Sequence, residues 1–201
     1  MALALAALSG DEQCDIIFSQ LCNALDTRVA LAFSSASSEL RAATQAPRQQ
    51  LRADHEAAAA LGRKLGLQTC KELREANEFY LHASSLSAAD FTLLGTLGSV
   101  LPALEILSLN EPAAGPDGMQ RLAEGLGAGA LPSVTTLQLT SMHVDDAGTS
   151  ELAAALGRGA LPRLKTLSLV NAAIGDAALV ALAPALRRLP ALERLTELSW
   201  R

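Results

Sequence analysis

The sequence predicts an α/β fold in which short parallel strands alternate with outer helices, about four units stacked in succession, preceded by a small helical module. Three observations carry this expectation. The first is a recurring phrase: "LPALEILSL" from Leu101 returns as "LPSVTTLQL" from Leu131, "LPRLKTLSL" from Leu161 and "LPALERLTEL" from Leu189, at spacings of 30, 30 and 28 residues. The second is a change of period inside each unit. Leu107 and Leu109, Leu137 and Leu139, and Leu167 and Leu169 alternate as strand residues do, whereas Met119, Leu122 and Leu126, then Leu152 and Leu156, then Leu179, Leu182 and Leu186 fall three and four apart on one helical face. The third is punctuation. Gly- and Asp-rich turns ("GPDG", "DDAG", "GDAA") lie between strand and helix, and a Leu-Pro pair follows each helix, where proline stops helical continuation and starts the next strand.

Taken in order, residues 1–46 read as the helical module. The opening "MALALAALSGDEQ" has no Lys or Arg before its apolar run and meets Asp11 and Glu12 directly after it, which suits the start of a buried helix better than a signal peptide. Ile16, Ile17, Leu21 and Leu25 make one apolar helical face, and Val29, Ala32, Phe33, Ala36 and Leu40 make a second. Residues 47–75 read as a solvent-facing helical bridge, and residues 76–201 as the array.

The array opens on a degenerate copy, in which Phe79 and Leu81 take the strand positions, Leu86 the fifth place after the strand, and Phe91 and Leu94 the helix positions. Ala114, Val144 and Ile174 are the corresponding apolar residues of later units, and Asp117, Asp146 and Asp176 are expected to cap the helices that follow. Glu197 stands where a core leucine belongs, so residues after about Leu192 are expected to fray and the helix near Leu179–Leu186 to leave apolar surface open to self-association. A single unit cannot bury its apolar face alone, which is why the phrase is copied and stacked.

These residues resemble the leucine-rich repeat, and the 28–30 residue unit with a full helix is similar to the ribonuclease-inhibitor-like subclass. The family's usual Asn, three residues after the last strand Leu, is Pro112, Met142 or Ala172 here, so no asparagine ladder is expected. The order of an acidic opening, an Ile-Ile-Phe-x-x-Leu helix and an Ala-Leu-x-Phe helix between Leu8 and Thr44 is similar to a divergent F-box, with Leu8-Ser9 in place of the family's Leu-Pro. That resemblance implies a substrate-recruiting subunit of a ubiquitin ligase, in which Ile16, Ile17, Leu21 and Phe33 contact a Skp-type adaptor. A stand-alone leucine-rich repeat module for binding or inhibition, and an inactive truncated repeat protein, are the alternatives.

Composition narrows the function classes. A net charge of −5 without a basic stripe disfavours nucleic acid, and no long apolar run free of polar interruption predicts a membrane span. Three cysteines, Cys14, Cys22 and Cys70, without Cys-x-x-Cys spacing suggest reduced, buried thiols in the cytoplasm or nucleus. His55, His82 and His143 have no metal-ligand spacing, no nucleophile elbow or phosphate loop occurs, "GLGAGA" (Gly125–Ala130) follows a helix rather than opening one, and Asp145-Asp146 reads as capping rather than calcium binding. The expectation is therefore a protein-binding scaffold, not an enzyme, with neither cofactor nor metal. Its docking surface is the outward side of the strands, where residues between the leucines form columns: Glu78, Ile106, Thr136 and Thr166; Tyr80, Ser108, Gln138 and Ser168; His82, Asn110, Thr140 and Val170. Tyr80 is the expected anchor of a protein partner there.

Overall fold

In the computed structural model, which describes residues 10–82, 84–142, 144–170 and 175–196, five strands form one all-parallel sheet in sequence order. They are β1 (Glu78–His82), β2 (Ile106–Asn110), β3 (Thr136–Thr140), β4 (Thr166–Val170) and β5 (Arg194–Thr196). The fifth strand is one more than the columns drawn from the sequence anticipated. Its pairing also bears on the expected fraying after Leu192, because the amides of Glu193 and Arg194 both donate to Lys165 O, at 2.9 Å each.

The register has no slip. Phe79 pairs with Leu107, Leu107 with Leu137, Leu137 with Leu167, and Leu167 with Leu195, so the strand positions equated by spacing in the sequence are neighbours in space. Alternation then decides burial: Phe79, Leu81, Leu107, Leu109, Leu137, Leu139, Leu167 and Leu169 are all buried, and the residues between them are half-buried or exposed.

Helices α6 (Ala88–Leu97), α7 (Gly115–Gly125), α8 (Asp146–Gly157) and α9 (Asp176–Leu186) connect successive strands and pack on one another in the same order. Leu86, Phe91, Leu94, Met119, Leu122, Leu126, Val144, Leu152, Leu156 and Leu182 are buried as the periodicity predicts, and Ala114 nearly so, whereas Leu179 and Leu186 of α9 are only half-buried. Ile174 and Glu197 lie outside the described residues.

Close helix packing depends on small residues. A Cβ placed on Gly95 of α6 would come within 2.5 Å of Leu122 O and 2.9 Å of Gly125 Cα, and one on Gly125 within 2.9 Å of Thr92 O. Continuing in steps of 30, Ala155 and Ala185 occupy the matching places on α8 and α9, both buried.

The recurring Leu-Pro phrase belongs to a turn rather than to the strand, which corrects the expectation that proline starts the strand. Leu131 and Leu161 adopt left-handed backbone (φ 52° and 53°), with their side chains fully buried. The amide of Leu131 donates to Gly98 O at 2.8 Å and that of Leu161 to Ala130 O at 2.9 Å, while Val134 N and Leu164 N close tight turns onto Leu131 O and Leu161 O. Left-handed backbone costs a non-glycine residue about 1–2 kcal/mol, and burial of the leucine side chain, about 1.5–3 kcal/mol, offsets it.

The expected Asp caps are redistributed. The cap of α8 is Asp145, whose Oδ1 accepts the Gly148 amide at 2.8 Å. Asp146 instead accepts the Gly175 amide at 2.6 Å, at the start of the next helix. Asp117 and Asp176 stand in first turns of helices whose cap residues, Ala114 and Gly175, make no side-chain cap, and their carboxylates oppose the positive end of the helix dipole there.

The chain divides into two compact units, Met1–Ala60 and Leu61–Arg201. In the first, α1 (Gly10–Leu21), α2 (Arg28–Ser35), α3 (Ser38–Ala43) and the start of α4 (Gln45–Lys64) surround Phe18, Ala30 and Leu51, with Leu21, Cys22 and Phe33 packed against them. The inward residues of α2 are Ala30 and Ser34, not the predicted face, since Val29, Ala32 and Ala36 are exposed. Apolar or small residues stand at nearly every position of this helix, so its pattern selects no single face. The segment expected to be a solvent-facing bridge also differs: α4 buries Leu51, Ala58 and Leu61, and a further helix, α5 (Cys70–Glu75), buries Cys70 and Leu73.

Candidate functional site

The open side of the sheet carries the residues that strand alternation turns away from the helices. Tyr80 pairs with Ser108, Ser108 with Gln138, and Gln138 with Ser168, so the central column predicted from spacing is brought together. The outer column pairs Glu78 with Ile106, Ile106 with Thr136, Thr136 with Thr166, and, beyond the predicted four, Thr166 with Arg194. His82 pairs with Asn110, and Thr140 with Val170.

Two lateral hydrogen bonds organise this face. Ser108 Oγ donates to Gln138 Oε1 at 3.2 Å, and Asn110 Nδ2 donates to His82 Nδ1 at 3.0 Å, which leaves the imidazole proton on Nε2, facing away from that bond. Tyr80 is 62% exposed. Its phenol is held above the ordinary value, first by partial desolvation, then by the charge and hydrogen bond of Glu78, so the hydroxyl stays a donor at neutral pH. The face therefore offers an exposed aromatic at one end, uncharged hydroxyls and amides across the middle, and opposite charges at the two ends of its outer column. Such groups can hydrogen-bond and stack on a partner.

The residues expected to meet an adaptor divide into two pairs. Ile16 and Ile17 of α1 are 40% and 43% exposed, whereas Leu21 and Phe33 are partly buried against the Phe18, Ala30 and Leu51 cluster. Beside that cluster a cavity of about 340 Å³ is lined by Phe18, Ser19, Cys22, Pro47, Gln50, Leu51 and Asp54. Burial, and then the Asp54 charge, push the Cys22 thiol up, so it stays protonated and is a poor nucleophile. Burial also raises Cys70, against a smaller opposing effect of Arg63. His55 Nδ1 lies 2.6 Å from Ala24 O and donates to it, a tie within the first unit; His143 lies outside the described residues.

One polar residue escaped the sequence reading. Glu111, two residues after Leu109, is fully buried; its Oε1 accepts the Ser84 amide, while Oε2 has no hydrogen-bond partner among the described residues. It ties the turn after β2 to the turn after β1. The sequence sign was its place two residues after the last strand leucine, where turn amides need an acceptor.

No protein-family model matches this chain, and no curated protein is similar to it beyond chance.

Proposed function

We propose that this chain is a protein-interaction scaffold of the leucine-rich repeat type, a solenoid of the ribonuclease-inhibitor-like subclass whose open sheet face holds a protein partner. The observation that carries the reading is the in-register column of Tyr80, Ser108, Gln138 and Ser168 on the uncovered side of the sheet. An exposed tyrosine beside small hydrogen-bonding side chains suits protein recognition, because the ring contributes a large rigid contact area and the small groups exclude little of the partner. The test is a photo-crosslinking residue placed at position 80 and, separately, at the exposed Val180 on α9. A discrete protein adduct formed only from position 80 supports the reading; the same adducts from both positions, or none from 80, count against it.

A second reading adds recruitment to a ubiquitin ligase through the F-box-like helices. It is favoured by the exposure of Ile16 and Ile17, since an isoleucine turned to solvent costs hydration free energy that a partner would recover. A purified Skp-type adaptor should be captured by the intact chain and lost on Ile16→Asp with Ile17→Asp. Failure of the intact chain to bind it retires the ligase role and leaves the stand-alone binding module. A binding rather than a catalytic role, and a cytoplasmic or nuclear setting, belong to the same proposal and rest on the sequence.

A further inference from the structure

We infer that the cavity beside Phe18 in the first unit is a binding site for a small organic ammonium ion, one apolar ring or short chain carrying a single protonated amine. At about 340 Å³ the cavity lies at the lower end of the roughly 300–1,000 Å³ that small-molecule sites occupy. Its walls are one turn of α1, which brings Phe18 and Cys22, and two turns of α4, which bring Pro47, Leu51 and Asp54. From Pro47 to Asp54 the α4 wall runs about 10 Å, at a rise of about 1.5 Å per residue. That length suits one ring with a two-carbon arm rather than a docked helix of several turns.

The lining selects the body of the ligand, and the charge selects its head. Phe18 and Leu51 are at most 4% exposed and form an apolar floor, which Pro47 and the Cys22 thiol extend. Because burial and then the Asp54 charge keep that thiol protonated, it presents apolar surface rather than a second anion. Asp54, half-buried, is the one carboxylate among the lining residues. Its Oδ1 accepts Gln50 Nε2 at 2.8 Å, and among the described residues no lysine or arginine pairs with it. Helix α1 supplies no such cation, since the sequence has neither residue before Arg28.

An ammonium group set against Oδ2 makes a charge-assisted hydrogen bond there. An anionic ligand meets like charge instead, and a neutral one covers the carboxylate without pairing it, which costs desolvation free energy. A divalent metal fits less well, because hard cations take several oxygen ligands and the lining offers one carboxylate beside a protonated thiol. This recess is independent of which partner the open sheet face holds.

Phenethylamine is the probe, and the readout is the rate at which N-ethylmaleimide alkylates Cys22 in the full chain, followed by peptide mass spectrometry with the buried Cys70 as internal reference. Protection is the ratio of rates without and with the probe. At neutral pH phenethylamine should slow Cys22 and not Cys70, half-maximally at a concentration on the order of 1 mM, the range of a ligand this small. Its uncharged counterpart 2-phenylethanol should need about tenfold more, and ethylamine, which keeps the charge and lacks the ring, should give no protection at the same concentration. Asp54→Asn should reduce phenethylamine to the potency of the alcohol, and Asp54→Glu should keep most of the protection, with circular dichroism confirming that both variants fold. The comparison of amine with alcohol on the wild type needs no variant. Absence of protection at about ten times the expected concentration, equal slowing of Cys22 and Cys70, equal potency of amine and alcohol, or protection that survives Asp54→Asn unchanged would each overturn the proposal. Slowing of Cys22 that tracks protein concentration with no probe present would assign the recess to a second copy and overturn it as well.

Discussion

The carboxylate of Asp146 accepts the backbone amide of Gly175 at 2.6 Å, joining the first turn of α8 to the start of α9 across 29 residues of sequence. The fit is close: a Cβ at position 175 would meet Asp146 Oδ2 at 2.8 Å. Asp146→Ala should leave that amide to solvent and cost about 1 kcal/mol, and Gly175→Ala should displace the carboxylate and cost a similar amount. Because both changes break one contact, the double variant should lose little more than either alone. Urea unfolding of the three variants provides the comparison; full additivity would show that the contact contributes nothing.

Gly95 and Gly157 should respond oppositely to alanine. At Gly95 the new methyl faces the Leu122 carbonyl at 2.5 Å and the α6–α7 contact must open, an overpacking cost of about 1–3 kcal/mol that exceeds the gain in helix propensity. At Gly157, the last residue of α8, nothing lies within 4 Å, so alanine should stabilise by a few tenths of a kcal/mol. Melting temperatures of the two variants, one lower and one slightly higher than the wild type, check this.

Leu137 lies in the buried row between Leu107 and Leu167. Leu137→Asp would place an unpaired charge there, with a penalty of several kcal/mol that spreads to the neighbouring strands because each layer is covered by the next. Loss of the cooperative transition in circular dichroism is the expected outcome, and an unchanged melt would exclude the stacked-layer account.

Asp90 supplies a pH dependence. Its side chain accepts from Lys64 Nζ at 2.6 Å and from the Ser87 amide and hydroxyl at 2.8 and 2.7 Å, forming a capping box at the start of α6. Burial alone would raise this carboxyl, but the bonds from Lys64 and Ser87 outweigh it and hold it below the ordinary value. A folded value below the unfolded one makes the stabilisation fully present above the unfolded carboxylate pKa of about 3.9 and lost as the pH falls through the folded value. Asp90→Asn should therefore cost about 1 kcal/mol near neutral pH, with the gap from wild type closing below about pH 4. Thermal melts at a series of pH values read this directly; a gap that stayed constant into acid would assign the loss to packing.

The order of strands and helices, the buried rows and the columns of the open face were all determined by the sequence itself, since periods of two and of 3.6 are local properties and a unit copied at 28–30 residues makes each row its own neighbour. Tertiary structure decided the remainder. Leu131 and Leu161 take left-handed backbone because the turn must reach Gly98 O and Ala130 O while the side chain stays in the core, a demand no leucine announces. Glu111 is buried and Asp146 reaches forward because the acceptor for a turn amide is whatever the adjoining layer places beside it, and helix α2 buries Ala30 and Ser34 because Phe18 and Leu51 fix which side is covered. Covering is a relation between segments distant in sequence, so periodicity can propose a buried face but only packing selects it.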